Sequence, residues 1–214
     1  MPTERQPPPE GRPDSPEGQE IERRVISIHE AGHAVAHIFY GLGPIRALSV
    51  TVTGEMHPGE LCASFGGHAY LRTPTDKVFT PAESLQRAIV LAAGAAAESR
   101  HCREIGAHDN SKTAGGVDEA NIREIALQVA SDDVAGYVER AYQLAHELMK
   151  RPKVWQAVID LADAIHALWP PFPDKPGEFV GTLDGAEAEA IIRQGWPTPS
   201  PLHAGSRTGQ PSAT

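Results

Sequence analysis

An amphipathic helix that carries a His-Glu-x-x-His motif constrains the fold of this chain more than any other feature. Apolar residues recur at three- and four-residue spacing from residue 18 to residue 40, and the Gly-Leu-Gly-Pro of residues 41–44 ends the pattern. Residues four apart share one face of a helix, so His29 and His33 can direct a ring nitrogen at the same ion. The sequence therefore predicts an early helix that bears a metal site.

Glu30 follows the first of these histidines directly. A carboxylate in this position can reach a metal-activated water without binding the metal itself, which is the place of a general base. Outside a helix, the two histidines of this motif would not lie on the same face. The motif therefore indicates a metal site only because the segment is predicted to be helical. The motif is typical of zinc-dependent peptidases.

A catalytic zinc ion usually takes three ligands from the protein, so one more donor is expected. Asp118 is the best candidate, because in a predicted helix over residues 117–130 it shares a face with Ile122 and other apolar residues. Burying an unpaired carboxylate is costly, and a divalent cation would offset that cost. Asp109 and Glu119 are the alternatives.

Other histidines have less defined roles. His37 lies about 12 Å along the helix from His29, which is too far for both to share an ion with bonds of ~2 Å. We therefore expect His37 to pack in the core or to support the site without binding the metal. No group that stabilises an oxyanion is assigned, because His57, His68 and His108 all remain open.

The rest of the chain predicts a mainly α fold with a small β-sheet or hairpin. Residues 45–53 and a stretch within 61–72 have strand composition, with a turn at residues 57–59 between them. Thr80, Pro81 and Glu83 form a capping box that starts a long Ala-rich helix. Further helices are predicted over residues 117–130, 134–149 and 153–168, and from Asp184 to about residue 195.

The 214 residues predict one domain with a polar extension at each end. Residues 1–17 and 196–214 are rich in Pro, Gly and polar residues and cannot bury enough apolar surface to order themselves. We expect a disordered leader over residues 1–17, a metallopeptidase domain over 18–195 and a disordered tail over 196–214.

Composition argues against several classes of protein. A net charge of -9 without a basic run disfavours nucleic-acid binding, which depends on clustered Lys and Arg. The longest apolar run, around residues 89–97, is about half the ~20 residues that a membrane-spanning helix needs. Cys62 and Cys102 form no Cys-x-x-Cys pair, so a disulfide framework is not expected. We predict a cytoplasmic protein without a membrane span.

Several segments together resemble the peptidase domain of the FtsH family, zinc metalloproteases fused to an AAA+ ATPase. HEAGHAV at residues 29–35 resembles the zinc helix of the family, and AGAAAE at 93–98 resembles its buried Gly-Arg-Ala-Ala-Glu segment. Residues 115–126 are similar to the segment that holds the family's zinc-binding aspartate. TLDG at 182–185 resembles the start of the final helix. The likeness covers about residues 24–194.

The resemblance implies Zn²⁺ as cofactor and the FtsH-type peptidase fold. It implies the zinc ligands His29, His33 and Asp118. It implies Glu30 as the catalytic base that activates water. It further implies an edge strand that pairs with an extended substrate. This strand would contain Gly66, Gly67 and His68.

The chain also departs from the family. It contains no Gly-x-x-x-x-Gly-Lys phosphate loop, so we expect a free-standing peptidase domain without the AAA+ module. Val117 replaces the asparagine that precedes the zinc-binding aspartate in the family, and the family's Gly-Arg-Ala-Ala-Glu segment lacks its arginine here.

The sequence thus predicts a zinc-dependent metalloendopeptidase that acts on unfolded or extended polypeptides. A non-catalytic zinc-binding regulatory or interaction module with the same fold is one alternative, and a zinc hydrolase of small amides is another. A third is a peptidase subunit, assembled as a homo-oligomer, that depends on a separate AAA+ ATPase partner.

Overall fold

The computed structural model describes residues 16–57, 60–71, 78–107, 116–170, 177–194 and 196. Its helices and strands follow one another along the chain. They are α1 (Pro16–Phe39), β1 (Ile45–His57), β2 (Glu60–Leu71), α2 (Pro81–Ile105), α3 (Gly116–Val129), a 3-10 turn (Ser131–Asp133), α4 (Val134–Met149), α5 (Pro152–His166), β3 (Gly177–Asp184) and α6 (Gly185–Gln194). The described part is mainly helical with a small sheet, which confirms the predicted fold class.

The predicted division of the chain into leader, domain and tail is only partly visible. α1 already begins at Pro16, two residues inside the predicted leader. Residues 1–15 and 197–214 lie outside the described residues, as does the predicted turn at Pro58 and Gly59. Among the helices that the structure describes, none is long and apolar enough to cross a membrane.

Helices α1 and α2 cross at the centre of the core. A Cβ atom added to Gly32 of α1 would lie 2.6 Å from the carbonyl oxygen of Ala93 and 2.8 Å from the Cβ of Ala97, both in α2. Only a residue without a side chain fits at this distance. The two backbones therefore come close enough for side chains beside the crossing to reach from one helix to the other.

The start of α2 has the predicted cap. The Thr80 hydroxyl accepts a hydrogen bond from the Glu83 backbone N–H, and the Glu83 carboxylate accepts one from the Thr80 N–H. Pro81 occupies the first turn, where its missing N–H costs nothing. This arrangement fixes where α2 begins and therefore which of its residues meet α1.

The sheet has three antiparallel strands in the order β2-β1-β3. β1 and β2 form the predicted hairpin, and β1 is longer than the predicted 45–53. The third strand was not predicted, because its eight residues contain two glycines and follow a proline-rich stretch. Pairing with β1, for example between Leu48 and Leu183, gives this segment its extended structure. β2 is therefore left at one edge of the sheet.

We expect Gly32→Ala to destabilise the protein by about 1–3 kcal/mol, because the new methyl group would force α1 and α2 apart. Gly116→Ala is the matched control, since a Cβ at Gly116 would meet no atom of the described residues within 4 Å. Urea unfolding of both variants measures the difference. Equal stability of the two variants would contradict the close crossing.

Candidate metal centre

Three side chains from two helices converge beside the α1–α2 crossing. His29 and His33 lie one turn apart on α1, and Asp118 lies in the first turn of α3. The two Nε2 atoms are 3.0 Å apart, and Oδ2 of Asp118 lies 3.4 Å from Nε2 of His29 and 3.2 Å from Nε2 of His33. The three predicted ligands are therefore brought together by the fold.

These separations suit a small tetrahedral ion. With bonds of about 2.0–2.1 Å, neighbouring ligand atoms around such an ion are about 3.3 Å apart. Two imidazoles and one carboxylate are also a donor set that Zn²⁺ accepts. Among the described residues, these three side chains form a group whose possible ligand atoms all lie within 4.8 Å of one another. The residues thus fit the metal that the motif implies.

The far side of each imidazole is held by a hydrogen bond from α2. Nδ1 of His29 donates to Oε2 of Glu98 at 3.0 Å, and Nδ1 of His33 donates to the carbonyl oxygen of Val90 at 2.8 Å. With the proton on Nδ1, each ring has its Nε2 lone pair available for a metal. Such contacts orient metal ligands and increase their basicity.

Glu98 belongs to the segment that resembles the family's Gly-Arg-Ala-Ala-Glu, but no role was predicted for it from the sequence. It is only 3% exposed, and its carboxylate lies against His29. The signal in the sequence was an acid in the middle of an otherwise apolar stretch of α2. A buried carboxylate needs a partner, but the sequence does not say which one.

Gly94 keeps the space at the two imidazoles open. A Cβ atom at this position would lie 2.4 Å from Nε2 of His33 and 2.6 Å from Nε2 of His29. It would therefore occupy the place where the ligand atoms converge. This glycine is needed for close approach of the α2 backbone to the site, and no role was predicted for it from the sequence.

Negative charge surrounds the histidines. Burial disfavours the charged form of His29, but hydrogen bonds to Asp118 and Glu98 and the charge of Glu30 raise its pKa to about 10. Burial would also raise the pKa of Asp118, yet its contacts with His29 and His33 hold it well below its usual range. In the absence of a metal, a protonated imidazole thus supplies the positive charge that these carboxylates require.

Glu30 lies between α1 and the edge strand β2. Glu30 is 8% exposed, and a Cβ atom added to Gly67 would lie 2.6 Å from the Cγ of Glu30. Strand alternation turns Gly66 and His68 to the other face of the sheet, where His68 is exposed beside Tyr70. Of the three residues predicted to bind substrate, Gly67 alone is thus packed against Glu30.

The remaining candidates are not part of the cluster. His37 is 2% exposed and hydrogen-bonds to the Gly43 backbone, and burial lowers its pKa. Glu119 forms an ion pair with Arg123 on the outer side of α3. The alternative ligand Asp109 lies outside the described residues, as do His108 and the side chain of His57.

A phenol is also close to the site. Burial raises the pKa of Tyr142 in α4, and the negative charges of Glu119 and Asp118 raise it further. Tyr142 is partly buried and packs against the hydrophobic core. The Tyr142 hydroxyl therefore interacts electrostatically with the Asp118 carboxylate, which also faces the histidines.

Comparison with known proteins finds similarity to a zinc metalloprotease. The chain is 31% identical over 156 residues to the ATP-dependent zinc metalloprotease FtsH 4 of Sphaerobacter thermophilus. The match covers 67% of this chain and 21% of that protein, so the chain spans about a fifth of the length of this relative. No protein-family model matches the chain. The similarity supports a relation to FtsH-related proteases.

We expect Gly94→Ala to weaken zinc binding by about 10–100-fold or more, because the new Cβ would displace both imidazoles. Ala is a better helix former than Gly, so the helix itself should not be weakened. Competition with a zinc-binding dye measures the affinity. Gly116→Ala again serves as control, and an unchanged affinity in Gly94→Ala would show that the ion does not bind between these rings.

We expect zinc binding at pH 7 to release about one proton, because His29 is protonated below its pKa of about 10 and a metal ligand must be neutral. The apparent affinity should rise about tenfold per pH unit for each proton released. Calorimetric titration in buffers of different ionisation enthalpy counts the protons. Glu98→Gln, which removes one negative neighbour of His29, should reduce the release, and zero release by the wild type would contradict the prediction.

Proposed function

We propose that this chain is a zinc-dependent metalloendopeptidase that hydrolyses peptide bonds in unfolded or extended polypeptides. The observation that carries the proposal is the convergence of His29, His33 and Asp118 beside the largely buried Glu30. A structural pair of histidines would not require three acids around it. The similarity to a zinc metalloprotease supports the same conclusion.

The metal would be held by Nε2 of His29, Nε2 of His33 and Oδ2 of Asp118. A bound Zn²⁺ ion supplies Lewis acidity, which polarises a carbonyl group and makes a water molecule more acidic. Glu98 and the Val90 carbonyl keep the two rings in the orientation that this requires. Three protein ligands are the usual number for a catalytic zinc site, which keeps one position for water or substrate.

Glu30 is the general base in this proposal. It adjoins His29 on α1, and its side chain is held between α1 and β2. Its carboxylate takes a proton from the attacking water and then delivers a proton to the leaving amine. Gly67 packs against the Glu30 side chain and keeps bulk water from one side of it. The position of the carboxylate is thus fixed before the substrate binds.

The edge strand β2 is the surface on which an extended substrate would lie. β1 occupies one side of β2, and within the described residues no strand pairs with its other side. A peptide that adds to this edge would be held through its backbone, whatever its sequence. Gly66 and Gly67 carry no side chains that could hinder the approach. The strand passes directly beside Glu30, so the bound peptide would pass beside the reacting groups.

This mode of binding needs a substrate that is already unfolded, because a folded protein does not offer a free extended backbone. ATP dependence is a property named for the relative, of which this chain matches only a fifth. We therefore propose peptidase activity for the chain and test it on an unfolded protein. A requirement for an AAA+ partner is one outcome of that test.

We expect Glu30→Gln to lower cleavage of a chemically unfolded, generic protein by about 10²–10⁴-fold while it leaves bound zinc unchanged. The amide keeps the size of the side chain but cannot accept the proton. Cleavage is followed by the appearance of new amino termini, and zinc is determined by mass spectrometry of the same samples. Glu124→Gln, on the exposed side of α3, is the matched control.

Wild-type cleavage that Glu124→Gln retains and Glu30→Gln loses supports the proposal. If both the wild type and Glu30→Gln bind zinc and neither cleaves, the chain has no peptidase activity of its own. A dependence on an ATPase would then be tested by the addition of an AAA+ protein that co-purifies with the chain. Cleavage of small amides but not of polypeptides would instead indicate a different zinc hydrolase.

A further inference from the structure

A cavity lies on the side of α2 that faces away from the metal centre. It has a volume of about 300 Å³ and is formed by the second half of α2 and the end of α4. Its lining residues are Ala96, Ser99, Arg100, Arg103, His146, Met149 and Lys150. Arg100 is turned about 200° around the helix from Glu98, so the two sites are separated by the body of α2.

The chemistry of this cavity differs from that of the whole chain. The protein has 28 acidic and 19 basic residues, yet three of the basic ones line this cavity, and no acidic residue is among the described residues that line it. A volume of this size is at the lower end of small-molecule sites and is large enough for a small anion. Cations gathered on one concave surface favour an anionic ligand.

Arg100 is held in place by protein groups. One terminal amino group donates to the carbonyl oxygen of Met149, and the guanidinium lies over the ring of Trp155 with its central carbon 4.1 Å from the ring centroid. Its side chain thus loses little further freedom when it binds a ligand. The Arg100 Nε donates to the exposed Glu104, so the second terminal amino group is the part of this fixed guanidinium that remains to donate to an oxyanion.

Arg103 retains most of its hydrogen-bonding capacity. Its Nε donates to the carbonyl oxygen of Ser99, and among the described residues its two terminal amino groups have no partner. Arg100 and Arg103 are three positions apart on α2 and share the face toward the cavity. Lys150, at the end of α4, approaches from the opposite wall.

Two acids near the cavity do not cancel this charge. Glu104 pairs with Arg100 and Glu147 pairs with Lys150, and the side chains of these acids are 45% and 63% exposed. Exposed pairs of this kind contribute little free energy, so a bound anion can compete with them. Basic residues in the last turn of a helix also offset the helix dipole. This accounts for Arg103 and Lys150 singly, but not for the fixed Arg100 between them or for the cavity.

We propose that this cavity binds a small molecule that carries a phosphate group, through Arg100, Arg103 and Lys150. The tetrahedral oxyanion would accept from the two arginines on one side and from the lysine on the other. The site lies beyond the proposed peptidase centre and does not depend on it.

The test is a calorimetric titration of inorganic phosphate, and separately of diphosphate, into the full chain at low ionic strength. We expect saturable binding with one site, weakened by added sodium chloride. Arg103→Gln should weaken it at least about tenfold, because hydrogen bonds to a charged partner are lost. Arg140→Gln, which removes the same charge from an exposed position of α4, is the matched control and should bind as the wild type does.

Weaker binding in Arg103→Gln, with unchanged binding in Arg140→Gln, supports the proposed phosphate site. No saturable binding of either anion at millimolar concentration would overturn the proposal. Equal affinities of the wild type, Arg103→Gln and Arg140→Gln would also overturn it, since the anion would then bind elsewhere, for example at a metal. Circular dichroism of each variant establishes that the helices are intact.

Discussion

The close crossing of α1 and α2 governs the site, because it decides which groups can face the two histidines. Gly32 lets the α2 backbone approach to a distance at which no side chain would fit. At that distance Gly94 lies directly opposite the imidazoles, and Glu98 and the Val90 carbonyl reach their Nδ1 atoms. A larger residue at the crossing would separate the helices and break both hydrogen bonds. The geometry of the site thus depends on the absence of a side chain at Gly32.

The second organising interaction is electrostatic. Asp118, Glu98 and Glu30 are all placed around His29 in a largely buried region, where unpaired negative charge is costly. Without a metal, the cost is offset by a proton on His29, which explains its high pKa. With a divalent ion, both histidines become neutral ligands and the ion supplies the charge. A bound ion would therefore also stabilise the fold, in addition to its role in the proposed chemistry.

The opposite face of α2 carries basic side chains, whereas the face toward the metal centre carries an acidic one. Acidic groups and imidazoles meet one side, while Arg100 and Arg103 line the other. A helix separates side chains that are only two residues apart by more than half a turn. One element can thus serve a cation site and a basic cavity without direct contact between them.

Much of the local structure could be predicted from the chain alone. The apolar period predicted α1, and Thr80 with Glu83 predicted the start of α2, because both signals depend on residues within one or two turns. The third strand was missed. Its glycines and short length resemble a loop, and only its pairing with β1 makes it a strand. The first two residues of α1 were likewise assigned to a leader, because Pro16 can begin a helix as readily as a loop.

The sequence by itself determined the helices and the hairpin of β1 and β2, the placement of His29 and His33 one turn apart, and the residue types available for a metal. Asp118 was identified because its position on a helical face required a partner for a carboxylate. Only the tertiary structure decided that it lies beside His29, from which it is 89 positions distant along the chain. The same holds for the contact of Glu98 with His29 and of Gly67 with Glu30. The physical reason is that periodicity and capping act over a few residues, whereas these contacts depend on how closely two helices cross and on which strand covers them.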